Sequence, residues 1–226
     1  LIHTLLTDIE GTTSAISFVH DVLFPFARAR LPAWLEQNGG RPEVKAQLEA
    51  VRRLEGAPEA GLPELASLLQ RWIDEDRKVG PLKELQGLIW EEGYRHGQLR
   101  SHLYPDAVAA LRRWREQGLE LCVYSSGSIH AQKLLFGYTE AGDLSGLFSG
   151  FYDTTSGPKR EAASYERIAR AIGRPVEGIL FLSDVKAELD AARVAGMRTA
   201  WLVREGPLPS DADGHPVART FDEVRF

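Results

Sequence analysis

Hydrophobic positions along the chain follow two regimes. The first residues, Leu1-Ile2-His3-Thr4-Leu5-Leu6, form an apolar run without Pro or Gly and predict a short buried strand. From about Phe18 to about Arg100 the spacing becomes helical. Phe18, Val22, Phe26, Leu31 and Trp34 fall near one face, with Pro25 and Pro32 expected to kink the segment or start a new one. Asn38-Gly39-Gly40 stops it. Val44, Leu48 and Val51 predict a second helix, closed by Glu55-Gly56-Ala57-Pro58. Leu65, Leu68, Leu69, Trp72 and Ile73 predict a third, broken at Gly80-Pro81, and Leu82, Leu85, Leu88, Ile89 and Glu92 a fourth, ending near Gly97. No strand-like alternation interrupts this block.

Tyr104-Pro105-Asp106 opens the second regime. Ala107 to Gln117 reads as an amphipathic helix ended by Gly118, and Leu119 to Tyr124 as a strand. A short helix over Ile129–Phe136 and a weak strand over Phe148–Tyr152 follow. Then come a helix over Glu161–Ile172, a strand over Ile179–Leu182, a helix over Ala187–Ala195 and a final strand over Arg198–Val203. The tail from Gly206 to Pro216, rich in Pro, Asp and Gly, reads as loop. Strands alternating with helices imply βαβ units. The expected architecture is α/β: a Rossmann-like doubly wound parallel sheet over 1–15 and 104–226, with an all-helical insert over 16–103.

Composition narrows the class. With 226 residues, 43% hydrophobic and 26% charged, the chain suits one good core and an accessory domain. A formal net charge of −5 with no basic stripe argues against nucleic acid as a partner. No apolar run reaches the ~20 residues of a membrane span, and no signal-peptide order opens the chain. The one cysteine, Cys122, excludes a disulfide within the chain and points to the cytoplasm. No long heptad appears, so a monomer is expected.

In a parallel sheet the carboxyl ends of the strands converge on one edge, where ligands bind. Four such ends carry chemistry here: Asp8 and Glu10 after the first strand, Ser125 and Ser126 after the second, Lys159 after the third, Asp184 after the fourth. Each also has a plain structural reading. Asp8 or Asp184 serves equally as a turn residue or helix N-cap, Ser128 as an N-cap, and Lys159 as a solvated lysine. Taken together the set favours chemistry. Ser125-Ser126-Gly127-Ser128 offers hydroxyls and backbone N–H groups at a helix start, an anion site. Gly157-Pro158 fixes the approach of Lys159, whose charge balances a phosphate. Thr12 adds a hydroxyl beside the carboxylates. Glu188, one helical turn past Asp184, either orients a metal ligand or makes a surface pair. An all-oxygen donor set suits Mg²⁺. No zinc spacing, Walker A motif or dinucleotide fingerprint appears. The six histidines, His215 among them, form no defensible site.

These motifs resemble the haloacid dehalogenase superfamily. The order is Asp8-Ile9-Glu10-Gly11-Thr12-Thr13, then Tyr124-Ser125-Ser126-Gly127-Ser128, then Lys159, then Leu182-Ser183-Asp184. Phe24-Pro25, Leu85-Gln86-Gly87, Trp114-Arg115 and Ala131 to Gly137 narrow the likeness to its enolase-phosphatase family. The similarity spans nearly the whole chain and is weakest over 39–62 and in the tail. It implies a helical cap on the Rossmann-like core, one Mg²⁺ per chain, and a small phosphate ester as substrate. That ester is a diketo phosphate with a methylthio tail, enolised and then dephosphorylated. It further implies Asp8 as nucleophile and metal ligand, and Glu10 as metal ligand or acid/base. Ser125, Ser126 and Gly127 would meet substrate, Lys159 the phosphate and Asp184 the metal. Glu10 replaces the superfamily's commoner Asp, which leaves open whether its carboxylate or its backbone carbonyl faces the metal. Two other readings compete: a phosphatase of another small ester, and a phospho-accepting receiver domain. The latter is disfavoured by the ~80-residue insert.

Overall fold

The computed structural model describes residues 1–226. Six strands form one fully parallel sheet: β1 (Thr4–Thr7), β2 (Glu120–Tyr124), β3 (Gly150–Tyr152), β4 (Ile179–Ser183), β5 (Arg198–Leu202) and β6 (Val217–Ala218). Their order is β3-β2-β1-β4-β5-β6. The order reverses direction at β1, so β1 is the switch point of a doubly wound sheet, as expected. Thr4 registers against both Glu120 and Ile179, and Thr7 against both Val123 and Leu182. Apart from Glu120 at the start of β2, the central strands are buried, which is why they read as continuous apolar runs rather than alternating ones.

The chain divides into two compact units, Leu1–Ile16 with Arg100–Phe226, and Ser17–Leu99. The first holds the sheet together with α5 (Pro105–Glu116), α6 (Ile129–Gly137), α7 (Ala162–Ile172) and α8 (Lys186–Val194). The return junction falls at 99–100 rather than the expected 103–104. Ser101 N–H already donates to Tyr138 O (2.8 Å), and Ser14 Oγ donates to His102 O (2.6 Å). Residues 206–216 are loop, as expected, and a strand follows them. Val217–Ala218 adds β6 beside β5, a pairing too short to leave a periodic signal. Before it, buried His215 bridges Thr199 Oγ1 (2.7 Å) and Asp190 Oδ1 (3.0 Å), fastening the tail to β5 and α8.

The second unit contains α1 (Phe24–Asn38), α2 (Pro42–Glu55), α3 (Leu62–Asp74) and α4 (Gly80–Arg95), preceded by a π-helical turn over Phe18–Leu23. Pro25 stands at the start of α1, as expected, whereas Pro32 lies inside the helix and starts no new one. A proline leaves the carbonyl four residues earlier without its helical donor. Here that carbonyl, Arg28 O, accepts from Gln70 Nε2 of α3 at 2.9 Å, so a neighbouring helix replaces the missing bond. Trp72, fully buried, donates Nε1–H to Glu55 Oε1 (2.8 Å) while the Arg77 guanidinium lies 4.2 Å over its ring. No helix is long and apolar enough to cross a membrane.

Leu69 is fully buried within the helical unit. Leu69→Ala is expected to cost about 2–5 kcal/mol, the range for deleting a buried leucine side chain. Denaturant unfolding followed by tryptophan fluorescence checks it, and a cost below ~1 kcal/mol would mean that α3 is loosely packed.

Candidate active site

Asp8 follows β1 directly, and its N–H donates to Leu182 O of β4 at 2.9 Å. The chain then folds tightly on itself. Ile9 O accepts the N–H groups of Thr12, Thr13 and Ser14, and Gly11 N–H donates to Ser14 O. Gly11 has φ +74, and a Cβ there would run into the Asp184 carboxylate. Only glycine allows both the turn and this approach of two strand ends. Thr13 Oγ1 lies 3.2 Å from the carbonyls of both Asp8 and Ile9.

Lys159 sits between two carboxylates. Its Nζ is 2.7 Å from Asp8 Oδ1 and 2.7 Å from Glu188 Oε2, with side chains only 9%, 7% and 12% exposed. The loop carrying it is pinned at several points. Tyr165 Oη donates to Lys159 O (2.6 Å), Tyr124 Oη to Gly157 O (2.7 Å) and Ser164 Oγ to Pro158 O (2.7 Å). Gly157, at φ +122, leaves no room for a side chain beside Arg167 and Ser164. The Tyr124 ring lies 5.6 Å from the ammonium. Burial opposes the charge on Lys159, yet Asp8 and Glu188 outweigh it and hold the ammonium above its ordinary range. Burial and then the Asp8 charge push Glu188 upward, against the pull of Lys159. Glu188 therefore belongs to a buried cluster and is no surface pair. Its Oε2 also accepts from Ser183 Oγ (3.0 Å).

Asp184 is the under-compensated member. Burial and then the Asp8 charge raise its carboxyl to about 7. Its Oδ1 is buried and accepts no hydrogen bond. Two neighbouring carboxylates, one ammonium and an orphaned oxygen fit a hard dication bound through oxygen. No three His, Cys, Asp or Glu side chains make a ready cage for a metal, so Glu10 does not join Asp8 and Asp184 as a third clustered carboxylate. Glu10 is half-buried and forms a bridge with Ser14.

On the other side of β1, Ser125 is buried at the end of β2, and Gly127 N–H donates to Ser125 Oγ (3.3 Å). Ser128 caps α6 by accepting from Ala131 N–H at 3.2 Å. Ser126 follows Ser125 in the same half-buried turn. Two supporting residues were not among those picked from the sequence. Gln132 Nε2 donates to Gly127 O (2.9 Å) and Tyr152 O (2.8 Å), tying the serine loop to β3. Arg204, after β5, donates to Thr12 O from Nε (3.0 Å) and Nη2 (2.7 Å). Arg204 stands in no motif, and the Ala131–Gly137 run that contains Gln132 gives no role to it; each acts on backbone carbonyls, which leave no trace in side-chain patterns.

Residues 2–196 match the family model described as haloacid dehalogenase-like hydrolase. A relative from Pseudomonas aeruginosa (strain LESB58), named enolase-phosphatase E1, is 60% identical over 99% of this chain and 98% of its own. A second of that name, from Azotobacter vinelandii, is 60% identical over 99% and 97%. The chain belongs to the haloacid dehalogenase-like hydrolases, in the enolase-phosphatase E1 family. The crystal structure of the UTR4 protein from Saccharomyces cerevisiae shares the fold with a TM-score of 0.83 and 34% identity, covering 99% of this chain and 100% of that one. Membership of this family makes the protein a phosphatase and sets aside the receiver-domain reading.

Asp184 holds its proton more tightly in the folded chain than in the unfolded one. Folding stability therefore falls as pH rises from the ordinary carboxylate range towards about 7. At neutral pH without a divalent cation, Asp184→Asn is expected to raise the thermal midpoint by about 2–4 °C, the shift that ~1 kcal/mol produces at this size. Mg²⁺ is expected to raise the midpoint of the unmodified protein far more than that of the variant. A lower midpoint for the cation-free variant would show that the carboxylate stabilises the fold unaided.

Proposed function

We propose that the protein enolises 2,3-diketo-5-methylthiopentyl-1-phosphate and then removes its phosphate, yielding an acireductone in methionine salvage. The observation that carries this reading is the Lys159–Asp8 contact at the switch point of the sheet, in a chain 60% identical to relatives named enolase-phosphatase E1. The single buried cysteine suits a reducing compartment, and we place the reaction in the cytoplasm, in a monomer.

Asp8 and Asp184 would hold Mg²⁺ through oxygen, with water and the phosphate as its other oxygen donors. When bound, the ion supplies charge neutralisation for the phosphate and the enediolate. In the first step the Glu10 carboxylate takes the proton from the phosphate-bearing carbon, the C–H electron pair forms a carbon–carbon double bond, and the carbonyl π pair moves onto oxygen. That enediolate charge falls near the Lys159 ammonium. In the second step an Asp8 carboxylate oxygen attacks phosphorus. The bond from phosphorus to the ester oxygen breaks, and Glu10 gives that oxygen a proton. Water then attacks the aspartyl phosphate, returning its proton to Glu10 and freeing phosphate and Asp8. Ser125, Ser126 and the Gly127 N–H bind phosphate oxygens. Glu188 is a positioning residue, holding Lys159 from the side opposite Asp8. Thr12 shapes the loop on which Asp8 and Glu10 stand.

Asp8→Asn keeps the shape of the residue and removes the nucleophile. At saturating Mg²⁺ it is expected to lose phosphate release by at least ~10³-fold. It should still enolise slowly, accumulating an ultraviolet-absorbing enol phosphate. Phosphate release near the unmodified rate would rule out Asp8 as nucleophile. An unmodified protein that hydrolyses other esters but not the diketo phosphate would instead overturn the substrate.

A further inference from the structure

Arg204 is the best-connected side chain near the site that carries no reacting group. Its Nε and Nη2 both donate to Thr12 O, at 3.0 and 2.7 Å. Its Nη1 donates to Asp106 Oδ2 at 2.7 Å and to Arg219 O at 3.3 Å. The guanidinium also packs 4.1 Å from the Tyr104 ring centroid and 5.1 Å from that of Phe221. The side chain is 7% exposed, so these bonds form out of water, where geometry counts most. Asp106 Oδ2 in turn accepts Phe221 N–H at 2.8 Å, so the network closes on itself.

Thr12 is fully buried and lies four residues past Asp8 and two past Glu10, in the turn whose N–H groups converge on Ile9 O. That turn is held on its inner side by its own backbone, and its outward carbonyl is gripped by Arg204. Through these bonds a shift of the Thr12 carbonyl would pass to the turn that contains Glu10 and directly follows Asp8. The planar fork puts two donors on Thr12 O and a third on Asp106; a lysine ammonium presents all its donors from one atom and cannot reproduce that spread.

We propose that Arg204 is a positioning residue for phosphoryl transfer, setting the turn that presents Asp8 and Glu10. The inference rests on the proposed roles of those two carboxyl groups and adds a residue on a different strand end to the machinery.

The test compares Arg204→Lys and Arg204→Met with the unmodified protein at saturating Mg²⁺. Both p-nitrophenyl phosphate and the diketo phosphate are used, and the ratio is read on whichever ester the unmodified protein hydrolyses. Both variants are expected to lose about 100-fold in kcat, the scale of a misplaced reacting group, with KM within about threefold. Lysine should not rescue, although it keeps the charge. Arg193 of α8 donates to Asp213 O in the tail, away from the nucleophile turn, and Arg193→Met is expected to retain kcat. Full kcat in Arg204→Lys would overturn the proposal, because charge alone would then suffice. So would a loss carried by KM, an equal loss in Arg193→Met, or failure of both Arg204 variants to fold, which would make Arg204 a residue of the fold. Failure of the substrate reading looks different: the unmodified protein would hydrolyse the aryl ester and ignore the diketo phosphate.

Discussion

One ammonium stands among two buried carboxylates and a half-buried third, and the architecture of the larger unit follows from keeping it there. Lys159 touches Asp8 and Glu188 directly, while Asp184 is left with an unpaired, buried oxygen. Removing one partner from such a buried pair typically costs about 3–5 kcal/mol, because the other charge stays buried alone. With three carboxylates to one ammonium, the cluster carries an excess of negative charge that a bound cation would relieve. Proteins accept such instability where function requires it.

Holding the cluster takes rigid supports. Asp8 and Asp184 follow adjacent parallel strands, β1 and β4, so sheet register sets their separation. Lys159 is carried by a loop instead, and needs Tyr124, Ser164 and Tyr165 to fix it through its backbone. These hydroxyls come from β2 and α7, elements already packed in the core with Leu6, Phe181 and Leu189. The reactive groups are thereby tied to the best-packed part of the molecule, which keeps their geometry reproducible.

Much of this was legible in the chain. The strands that flank the site are buried on both faces, so they appear as plain apolar runs, and the groups just beyond them stand out. Asp8 and Asp184 were readable for that reason; Lys159, seven residues past the half-buried β3, stood out through Gly157-Pro158, and Glu188 through its one-turn spacing from Asp184. Residues that work through backbone carbonyls were not. Arg204 grips Thr12 O, Gln132 grips Gly127 O, and Gln70 replaces the donor missing at Pro32; each depends on a contact between segments distant in sequence. The strand β6 escaped notice because two residues carry no periodicity, and its pairing is set by the His215 clasp and the path of the tail.

The central claim is that the carboxylate held by Lys159 receives the phosphoryl group. It is tested most directly by quenching the enzyme in acid during turnover and reducing it with borohydride, which converts an acyl phosphate to an alcohol. Peptide mass analysis is then expected to find homoserine at position 8 and unchanged carboxyl groups at Glu10, Asp184 and Glu188. An intact Asp8 in enzyme caught while releasing phosphate, or reduction at another carboxylate, would contradict the account.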